Sequence, residues 1–278
     1  MTSDNLLALK GITKEYKEFR LGPLDLSVPR GYVMGLVGAN GAGKTTAIKI
    51  ALGAVLPGNG SAHLIDKTRV GVVLDQPCWQ ATWRVRDLSR LLGPFYPGWD
   101  QRVFDELCEW AGVSQRLKVR EFSRGMGMKV QVAVALAHRA ELLVLDEPTS
   151  GLDPLARSEL LDKLSEFMTD ERHSVLFSTH ITTDLDRMAD LITILDAGRV
   201  IASGARDDLL EAWAMVRGGA ADLTGELRAR IRGLRQHSAG WEGLIAAADL
   251  GLCGTGVVAD TPSVEDLLVH FTKERKDA

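Results

Sequence analysis

A segment early in the chain, GANGAGKT at Gly38–Thr45, spaces glycines, a lysine and a threonine in a way that can bind phosphate groups. It fits the pattern G-x-x-x-x-G-K-[ST] at every fixed position. Glycines allow the backbone to curl until several N–H groups point at one anion. Lys44 can then reach the β- and γ-phosphates of a nucleotide, and the Thr45 hydroxyl can bind Mg²⁺. The residues expected to bind a nucleotide here are Gly38, Asn40, Gly41, Ala42, Gly43, Lys44, Thr45 and Thr46.

Two acidic residues, Asp146 and Glu147, follow the apolar run Leu142–Leu145. A buried strand of a parallel sheet would bring Asp146 to the carboxyl edge of the sheet, beside the phosphate-binding segment, where it can hold Mg²⁺. Glu147 would then orient or deprotonate an attacking water. Adjacent acids after a strand can also merely cap a turn. The sequence PTSGLDP at 148–154 follows directly, however, and favours a catalytic role.

The elements around the glycine segment fit a phosphate site. The apolar run 32–37 predicts a buried strand before it, and residues 46–52 predict a helix after it that ends at Gly53. Strand, glycine loop and helix is the arrangement in which such a loop binds phosphate. A plain glycine-rich turn between two core elements is therefore the less favoured alternative.

Hydrophobic patterning organises the rest of the chain. Alternation over 6–28 predicts antiparallel strands, and apolar stripes at helical spacing predict a helical region over about 83–136. Strands and helices then alternate over 142–202, which predicts a largely parallel sheet covered by helices. The sequence Gly218-Gly219-Ala220 predicts a boundary, which divides the chain into units 1–218 and 219–278.

The last sixty residues are rich in arginine and glycine and predict a small α+β appendage. Four arginines there are predicted to lie on one helix. A solvated face is the favoured interpretation of these arginines, and an anion or partner site is the alternative. They are Arg228, Arg230, Arg232 and Arg235.

Composition narrows the function. The chain has 278 residues, 25% of them charged, and a net charge of −4, so no overall field attracts nucleic acid, and we expect no nucleic-acid partner. Its three cysteines are far apart and form no CxxC, which predicts a reducing compartment and no cysteine metal site. We see neither a signal-peptide core nor an apolar run near the ~20 residues that span a bilayer. Any membrane part is expected in other chains.

From about Leu6 to Gly204 the chain resembles the nucleotide-binding (ATP-binding) subunits of ABC transporters. The glycine segment resembles their Walker A motif, and residues 142–147 resemble Walker B. The resemblance implies a P-loop NTPase fold of class α/β. Its parts would be a parallel-sheet core, an N-terminal antiparallel β-subdomain, the inserted helical subdomain and the small C-terminal α+β appendage.

Further motifs extend the resemblance to the remaining parts of the nucleotide site. The sequence SGLD that ends at Asp153 resembles the D-loop, and Ser178-Thr179-His180 resembles the switch, which makes His180 the γ-phosphate sensor. Tyr16 lies where the family stacks an aromatic ring on adenine, and a ring there offers a flat apolar face to the base.

The segment FSRGMGMK at 122–129 resembles the signature motif of the family. Ser123 and Gly125 match, whereas Arg124 replaces a usual glycine and Met126 a usual glutamine. In the family this site caps the γ-phosphate bound by the opposite subunit, so the resemblance implies that Ser123 and Gly125 act in trans. An ordinary helix cap is the alternative when the segment is taken alone.

After the strand predicted at 70–74, the family expects a glutamine that binds Mg²⁺ and links the site to the transmembrane partner. Here the aligned residue is Asp75, and Gln76 comes one later. We expect Asp75 to take the role because strand register fixes side-chain direction, and a loop shifted by one residue is the alternative. The sequence FYPGWD at 95–100 and the Ser-Arg-Gly-Met signature also resemble the drug, antibiotic and peptide export branch.

The resemblance implies an ATPase that dimerises around two Mg-ATP and drives export through separate transmembrane permease subunits. The partner in the dimer would be a second copy of the chain or a paralogous ATPase subunit. The protein would be cytoplasmic and peripheral on the inner face of the cell membrane. Glu147 would be the general base, with His180 and Lys44 as catalytic partners. Thr45, Asp75 and Asp146 would hold Mg²⁺.

Two alternatives remain. A soluble ABC-type ATPase acting on DNA or ribosomes would usually carry coiled-coil insertions, zinc modules or tandem cassettes, and this chain has one cassette and no basic stripe. A nucleotide-gated regulatory subunit with little turnover is kept open by Asp75 and Arg124, although Asp146, Glu147 and His180 are intact.

Overall fold

The computed structural model describes residues 4–277, and for 274–277 the backbone alone. The outer limits of the two predicted units, residues 1 and 278, therefore lie outside the described residues. The described residues form three sheets and nine α-helices. Short 3-10 helices at residues 67–69, 93–95, 119–121, 220–222 and 247–252 join some of these elements.

An antiparallel sheet of three strands begins the fold, in the order β2-β1-β4. Its alternating apolar side chains face the central sheet and form a shared core with the first helix after the glycine loop. The third strand, β4, pairs antiparallel with β1. The strands are β1 (Asn5–Glu15), β2 (Arg20–Pro29) and β4 (Asn59–Leu64).

The central sheet has six strands in the order β5-β6-β7-β3-β8-β9, parallel except for β9. Three of its strands are buried along their whole length, because helices or the N-terminal sheet cover both faces. This confirms the predicted α/β class with a parallel-sheet core. The strands are β3 (Val33–Val37), β5 (Val70–Val73), β6 (Leu142–Asp146), β7 (Ser174–Thr179), β8 (Leu191–Asp196) and β9 (Arg199–Ala205).

Helices flank this sheet, and a group of them between β5 and β6 builds the predicted helical subdomain around its own apolar cluster. The flanking helices are α1 (Lys44–Ala51), α5 (Pro154–Phe167), α6 (Thr182–Met188) and α7 (Arg206–Glu211). The helical subdomain contains α2 (Val85–Leu92), α3 (Gln101–Trp110) and α4 (Arg124–Ala137).

The C-terminal part is a four-stranded antiparallel sheet in the order β11-β12-β10-β13, with two helices. The last of these, α9, packs its apolar face into the same core as α6 and the central sheet. The elements are β10 (Trp213–Gly218), α8 (Gly225–Arg230), β11 (Arg232–His237), β12 (Gly240–Ala246), β13 (Val258–Asp260) and α9 (Val264–Asp277).

Two expectations about this C-terminal part need correction. The strand β10 pairs with β12 and β13, so the C-terminal sheet begins at Trp213, before the boundary expected at 218. The four arginines do not share a helix. Arg228 and Arg230 lie in α8, whereas Arg232 and Arg235 lie in β11, because that segment pairs with β12 and sets Arg235 opposite Glu242.

The strand order places four loops side by side at one edge. Parallel strands end at the same edge of a sheet, and β5, β6, β7 and β3 are consecutive neighbours. The residues that follow these strands begin with Leu74, Glu147, His180 and Gly38. Segments far apart in sequence therefore meet at the carboxyl edge of the central sheet.

Candidate functional site

The glycine loop runs from the end of β3 to the start of α1, and its glycines are required by geometry. A Cβ atom on Gly38 would lie 2.1 Å from the carbonyl oxygen of Leu195. This distance is too short for any side chain, so the position requires glycine. Gly43 precedes α1 with φ of 110°, a backbone conformation that L-residues rarely adopt. The loop therefore leaves the amide groups at the start of α1 free to face a phosphate.

Lys44 is almost completely buried under this loop, with 6% of the residue exposed. Its Nζ donates to the carbonyl oxygens of Gly38 at 2.7 Å and Ala39 at 3.2 Å. The same nitrogen lies 2.8 Å from Oε1 of Glu147. These contacts hold the Lys44 ammonium against the loop, with a carboxylate as its counter-ion.

Both carboxylate oxygens of Glu147, the residue directly after β6, contact a neighbouring side chain. Its Oε2 lies 2.6 Å from Nδ1 of His180, while its Oε1 contacts Lys44. Its backbone has φ of 52°, and its N–H group donates to the carbonyl oxygen and the Oγ of Ser178. A non-glycine residue in this conformation stores strain, and such strain concentrates at functional sites.

Asp146 is the last residue of β6 and is buried with its carboxylate fixed. The Ser178 hydroxyl donates to its Oδ1 at 2.7 Å from the neighbouring strand β7. Because Ser178 and Asp146 are paired in register, the strands themselves set this contact. A carboxylate oriented in this way keeps its other oxygen for a cation.

A cavity of about 660 Å³ lies over these loops. Its walls include Asp75 after β5 and His180 after β7, together with the acidic pair after β6. Phe19, Arg124 and Ser150 complete the lining and were not among the expected site residues. The expected residues that line it are Asn40, Gly41, Gly43, Lys44, Thr45, Thr46, Asp75, Asp146, Glu147 and His180.

The donor set in this cavity fits Mg²⁺. Thr45, Asp75 and Asp146 offer hydroxyl and carboxylate oxygens at one cavity, and Mg²⁺ prefers oxygen ligands, using one or two carboxylates plus substrate phosphates. Within the described part of the chain, no three or more His, Cys, Asp or Glu side chains are grouped as a self-sufficient metal cage. Gln76 does not line the cavity, which favours Asp75 over the shifted alternative.

Several expected site residues lie outside the cavity lining. Gly38 and Ala42 form the buried side of the glycine loop. Tyr16 is half exposed with its ring 6.4 Å from that of Phe19, and only Phe19 reaches the cavity. Asp153 accepts from the N–H groups of Leu155 and Ala156 and so caps α5. Sequence reasoning missed Phe19 because the apolar residue three positions after Tyr16 carried no motif.

Ser123 and Gly125 form the start of α4. The Ser123 hydroxyl oxygen caps the helix by accepting from the N–H group of Met126 at 3.2 Å. A Cβ atom on Gly125 would meet its nearest neighbours only at 3.9 Å, so the backbone there is open to approach. Neither residue lines the cavity of its own chain.

A buried polar network beyond the acidic pair also escaped the sequence analysis. Asp184, fully buried in α6, accepts from the Thr149 hydroxyl at 2.6 Å and from Arg157 Nε at 2.6 Å. The network joins the loop after Glu147 to the helix after His180. Its members are spread over 35 positions of sequence, so no local motif indicated them.

Comparison with known proteins agrees with this geometry. Residues 21–150 match the protein family described as "ABC transporter". The chain is 34% identical over 223 residues to the Nod factor export ATP-binding protein I of Cupriavidus pinatubonensis, which covers 74% of this chain and 68% of that protein. It is 33% identical over 223 residues to the daunorubicin resistance ATP-binding protein DrrA3 of Streptomyces coeruleorubidus, over 74% of this chain and 70% of that protein.

Solved structures give the same result. One described as the structure of the ATP binding subunit of an ABC transporter is 29% identical to this chain and has a TM-score of 0.64. The similarity covers 73% of this chain and 91% of that one. This confirms the P-loop NTPase fold class expected from the sequence.

Proposed function

Because the chain belongs to the ABC transporter family of ATP-binding proteins, we propose that it is the ATP-hydrolysing subunit of an export system. The export assignment is supported by the relatives named for Nod factor export and daunorubicin resistance. The observation that carries the enzymatic part is the position of Glu147, whose two oxygens contact Lys44 and His180 directly above the phosphate loop.

In this proposal Glu147 is the general base. It lies at the mouth of the cavity after β6, within reach of a water that would attack the γ-phosphate. His180 holds the second carboxylate oxygen and so fixes the direction of the first. Removal of a proton from water by a positioned carboxylate then needs no rearrangement other than release of Lys44.

Lys44 has two roles, one before and one after nucleotide binds. Before nucleotide binds, its ammonium neutralises Glu147. When ATP phosphates enter the glycine loop, they compete for the same ammonium, and the loop amides and Lys44 together stabilise the charge of the transferring phosphoryl group. Glu147 is thereby freed only when substrate is present.

Thr45, Asp146 and Asp75 would hold Mg²⁺, which when bound neutralises charge on the phosphate oxygens. Ser178 keeps Asp146 in a fixed orientation for this purpose. Phe19, which lines the cavity, is the aromatic ring available to the base of the nucleotide, and Tyr16 stays a prediction for the same role.

Two copies of the chain, or one copy and a paralogous subunit, would enclose two nucleotides. The start of α4 supports this arrangement, because Ser123 and Gly125 are accessible and lie outside the cavity of their own chain. No α-helix within residues 4–277 has the length and apolar character needed to cross a membrane. We propose that separate permease subunits supply the transmembrane path and hold the protein at the inner face of the membrane.

The test is Mg²⁺-dependent ATP hydrolysis by the purified chain over a range of protein concentrations, beside Glu147→Gln. We expect the rate to rise faster than linearly with concentration, and the variant to lose at least about 100-fold in rate while it still binds ATP. Glu141→Gln is the matched control. Glu141 is also a carboxylate that bridges two cations, Arg30 and Arg69, but it lies at the opposite end of β6 and should retain hydrolysis.

The outcomes separate the parts of the proposal. Wild-type turnover by Glu147→Gln would exclude Glu147 as the base. A chain that binds no ATP would contradict the proposed function altogether. ATP binding without hydrolysis at any concentration would instead identify a nucleotide-gated subunit or one that needs its permease for turnover.

A further inference from the structure

Arg124, the first residue of α4, reaches across the cavity wall to two separate loops. Its Nη2 donates to Oδ1 of Asp75 at 2.5 Å, and its Nε donates to the carbonyl oxygen of Ser150 at 2.5 Å. The guanidinium therefore connects the loop after β5 with the loop after β6. Both contacts are made within one chain.

The protein leaves space for this side chain. Gly151 has φ of 68°, and a Cβ atom there would lie 2.9 Å from Nε and 3.1 Å from Cδ of Arg124. A side chain at 151 would have to displace the arginine. The guanidinium thus occupies a slot on the surface of the loop, in the orientation that its two acceptors require.

The residue before Asp75 is held in a different way. Gln131, buried in α4, accepts from the N–H group of Leu74 at 3.1 Å and donates to its carbonyl oxygen at 2.9 Å. Neutral, buried hydrogen bonds therefore fix the backbone at the end of β5. The Asp75 carboxylate, in contrast, is about half exposed and is held by a partly exposed cation, a kind of contact that contributes little net free energy.

The Asp75 oxygen that accepts the hydrogen bond from Arg124 cannot bind a metal ion at the same time. Asp75, Arg124 and Asp146 line the same cavity, so the Asp75 carboxylate is within the site that would hold the metal beside Asp146. We propose that Arg124 is a positioning residue. It keeps Asp75 out of the magnesium site until the binding of Mg-ATP separates Asp75 from Arg124. This inference rests on the proposed function.

The consequence is communication inside one subunit. When Asp75 turns to the metal, Arg124 loses one of its two anchors and keeps the Ser150 carbonyl. Loss of the Asp75 contact by Arg124 would then change the contacts at the start of α4, next to Ser123 and Gly125. The start of α4, which is proposed to face the nucleotide of the other subunit, would thus respond to metal binding in its own subunit.

The experiment measures Mn²⁺ binding, as a probe for Mg²⁺, from the spin-resonance signal of free Mn²⁺ with the full chain and saturating β,γ-imido-ATP. Wild type, Arg124→Ala, Asp75→Asn and the double variant form a cycle. We expect Arg124→Ala to tighten Mn²⁺ binding about two- to fivefold, the range of an exposed ion pair. In the Asp75→Asn background the same change should have no effect. Arg120→Ala, which removes an equal charge from an exposed position nearby, should leave Mn²⁺ affinity unchanged.

Equal tightening in both backgrounds would overturn the inference, because Arg124 would then act on the metal by charge alone. Unchanged or weaker Mn²⁺ binding by Arg124→Ala would also overturn it. Binding of the imido analogue without divalent ions is measured in parallel. Normal nucleotide binding with a failed cycle rejects this inference alone, whereas a wild-type chain that binds no nucleotide rejects the proposed function with it.

Discussion

Lys44 and Glu147, 103 positions apart in sequence, form an ion pair with 2.8 Å between Nζ and Oε1. Both side chains are largely buried, with 6% and 13% exposed, and they face each other across the loop in which a nucleotide would lie. The residue proposed to bind phosphate and the residue proposed to activate water are therefore each other's partner before substrate arrives.

Removal of Lys44 should destabilise the nucleotide-free protein. Lys44→Met leaves the Glu147 carboxylate without its cation, and we expect a loss of about 1–3 kcal/mol in the free energy of unfolding. Thermal unfolding without nucleotide measures this. The double variant with Glu147→Gln should recover most of the loss, because no uncompensated charge is left. Equal destabilisation in the single and the double variant would mean that the pair does not contribute.

Ser178→Ala should weaken metal binding. The hydroxyl fixes one oxygen of Asp146, and outer contacts of this kind typically contribute about 10- to 100-fold to metal affinity. We expect at least about tenfold weaker Mn²⁺ binding in the presence of a non-hydrolysable ATP analogue.

The matched control for that measurement is Ser174→Ala. Ser174 lies at the opposite end of the same strand, where its hydroxyl donates to the carbonyl oxygen of Pro29. We expect its loss to change stability and leave Mn²⁺ affinity intact. Similar weakening by both substitutions would show that the strand, and not the Ser178 hydroxyl, governs the metal site.

Arg157→Ala should be strongly destabilising. It leaves the buried carboxylate of Asp184 with only the Thr149 hydroxyl, and breaking a buried pair costs about 3–5 kcal/mol. Because Arg157 is itself partly exposed, we expect about 2–4 kcal/mol in a urea or thermal unfolding measurement. Arg187→Ala, which removes a pair with the exposed Asp162, should cost under about 1 kcal/mol. Equal effects of the two substitutions would contradict the role of burial.

His138 should make stability depend on pH. Burial lowers its pKa from the ordinary value of 6.5, although its ring nitrogens face the carbonyl oxygens of Val134 and Val70. Between the lowered pKa and 6.5 the unfolded chain binds more protons than the folded one, so stability falls as pH decreases through that window.

The measurement is the urea midpoint at pH 7.5 and pH 5.5 for wild type and His138→Gln. Other titrating groups are common to both chains, so the difference between the two pH dependences isolates the histidine. We expect the wild type to lose more stability on acidification than the variant. An identical loss in both would show that His138 takes up its proton as readily in the folded chain as in the unfolded one, so that burial does not lower its pKa.

Short, contiguous motifs allowed much of the site to be predicted. The glycine loop, the acidic pair and His180 each follow a strand, and parallel strands end at one edge. The sequence therefore placed these residues together without knowledge of the strand order. Tyr16 stays a prediction for the aromatic ring at the base, and Phe19, in the turn after β1, is the aromatic residue that lines the cavity.

The C-terminal part shows where local patterns fail. Its arginine-rich segment has good helix-forming residues, yet 232–237 becomes a strand because β12 offers hydrogen bonds and a carboxylate opposite Arg235. The C-terminal sheet begins before the boundary expected at 218 for a similar reason. Its strand β10 is stabilised by β12 and β13, which come later in the chain.

By itself the sequence predicted the phosphate loop, the acidic pair and the switch histidine, because each prediction depends on residue types a few positions apart. Only the tertiary structure decided the partners of these groups: Lys44 with Glu147, Ser178 with Asp146, and Arg124 with Asp75. Those pairs join residues separated by 103, 32 and 49 positions. Their contacts are set by strand order and by the space that a glycine leaves, which the packing of the whole chain establishes.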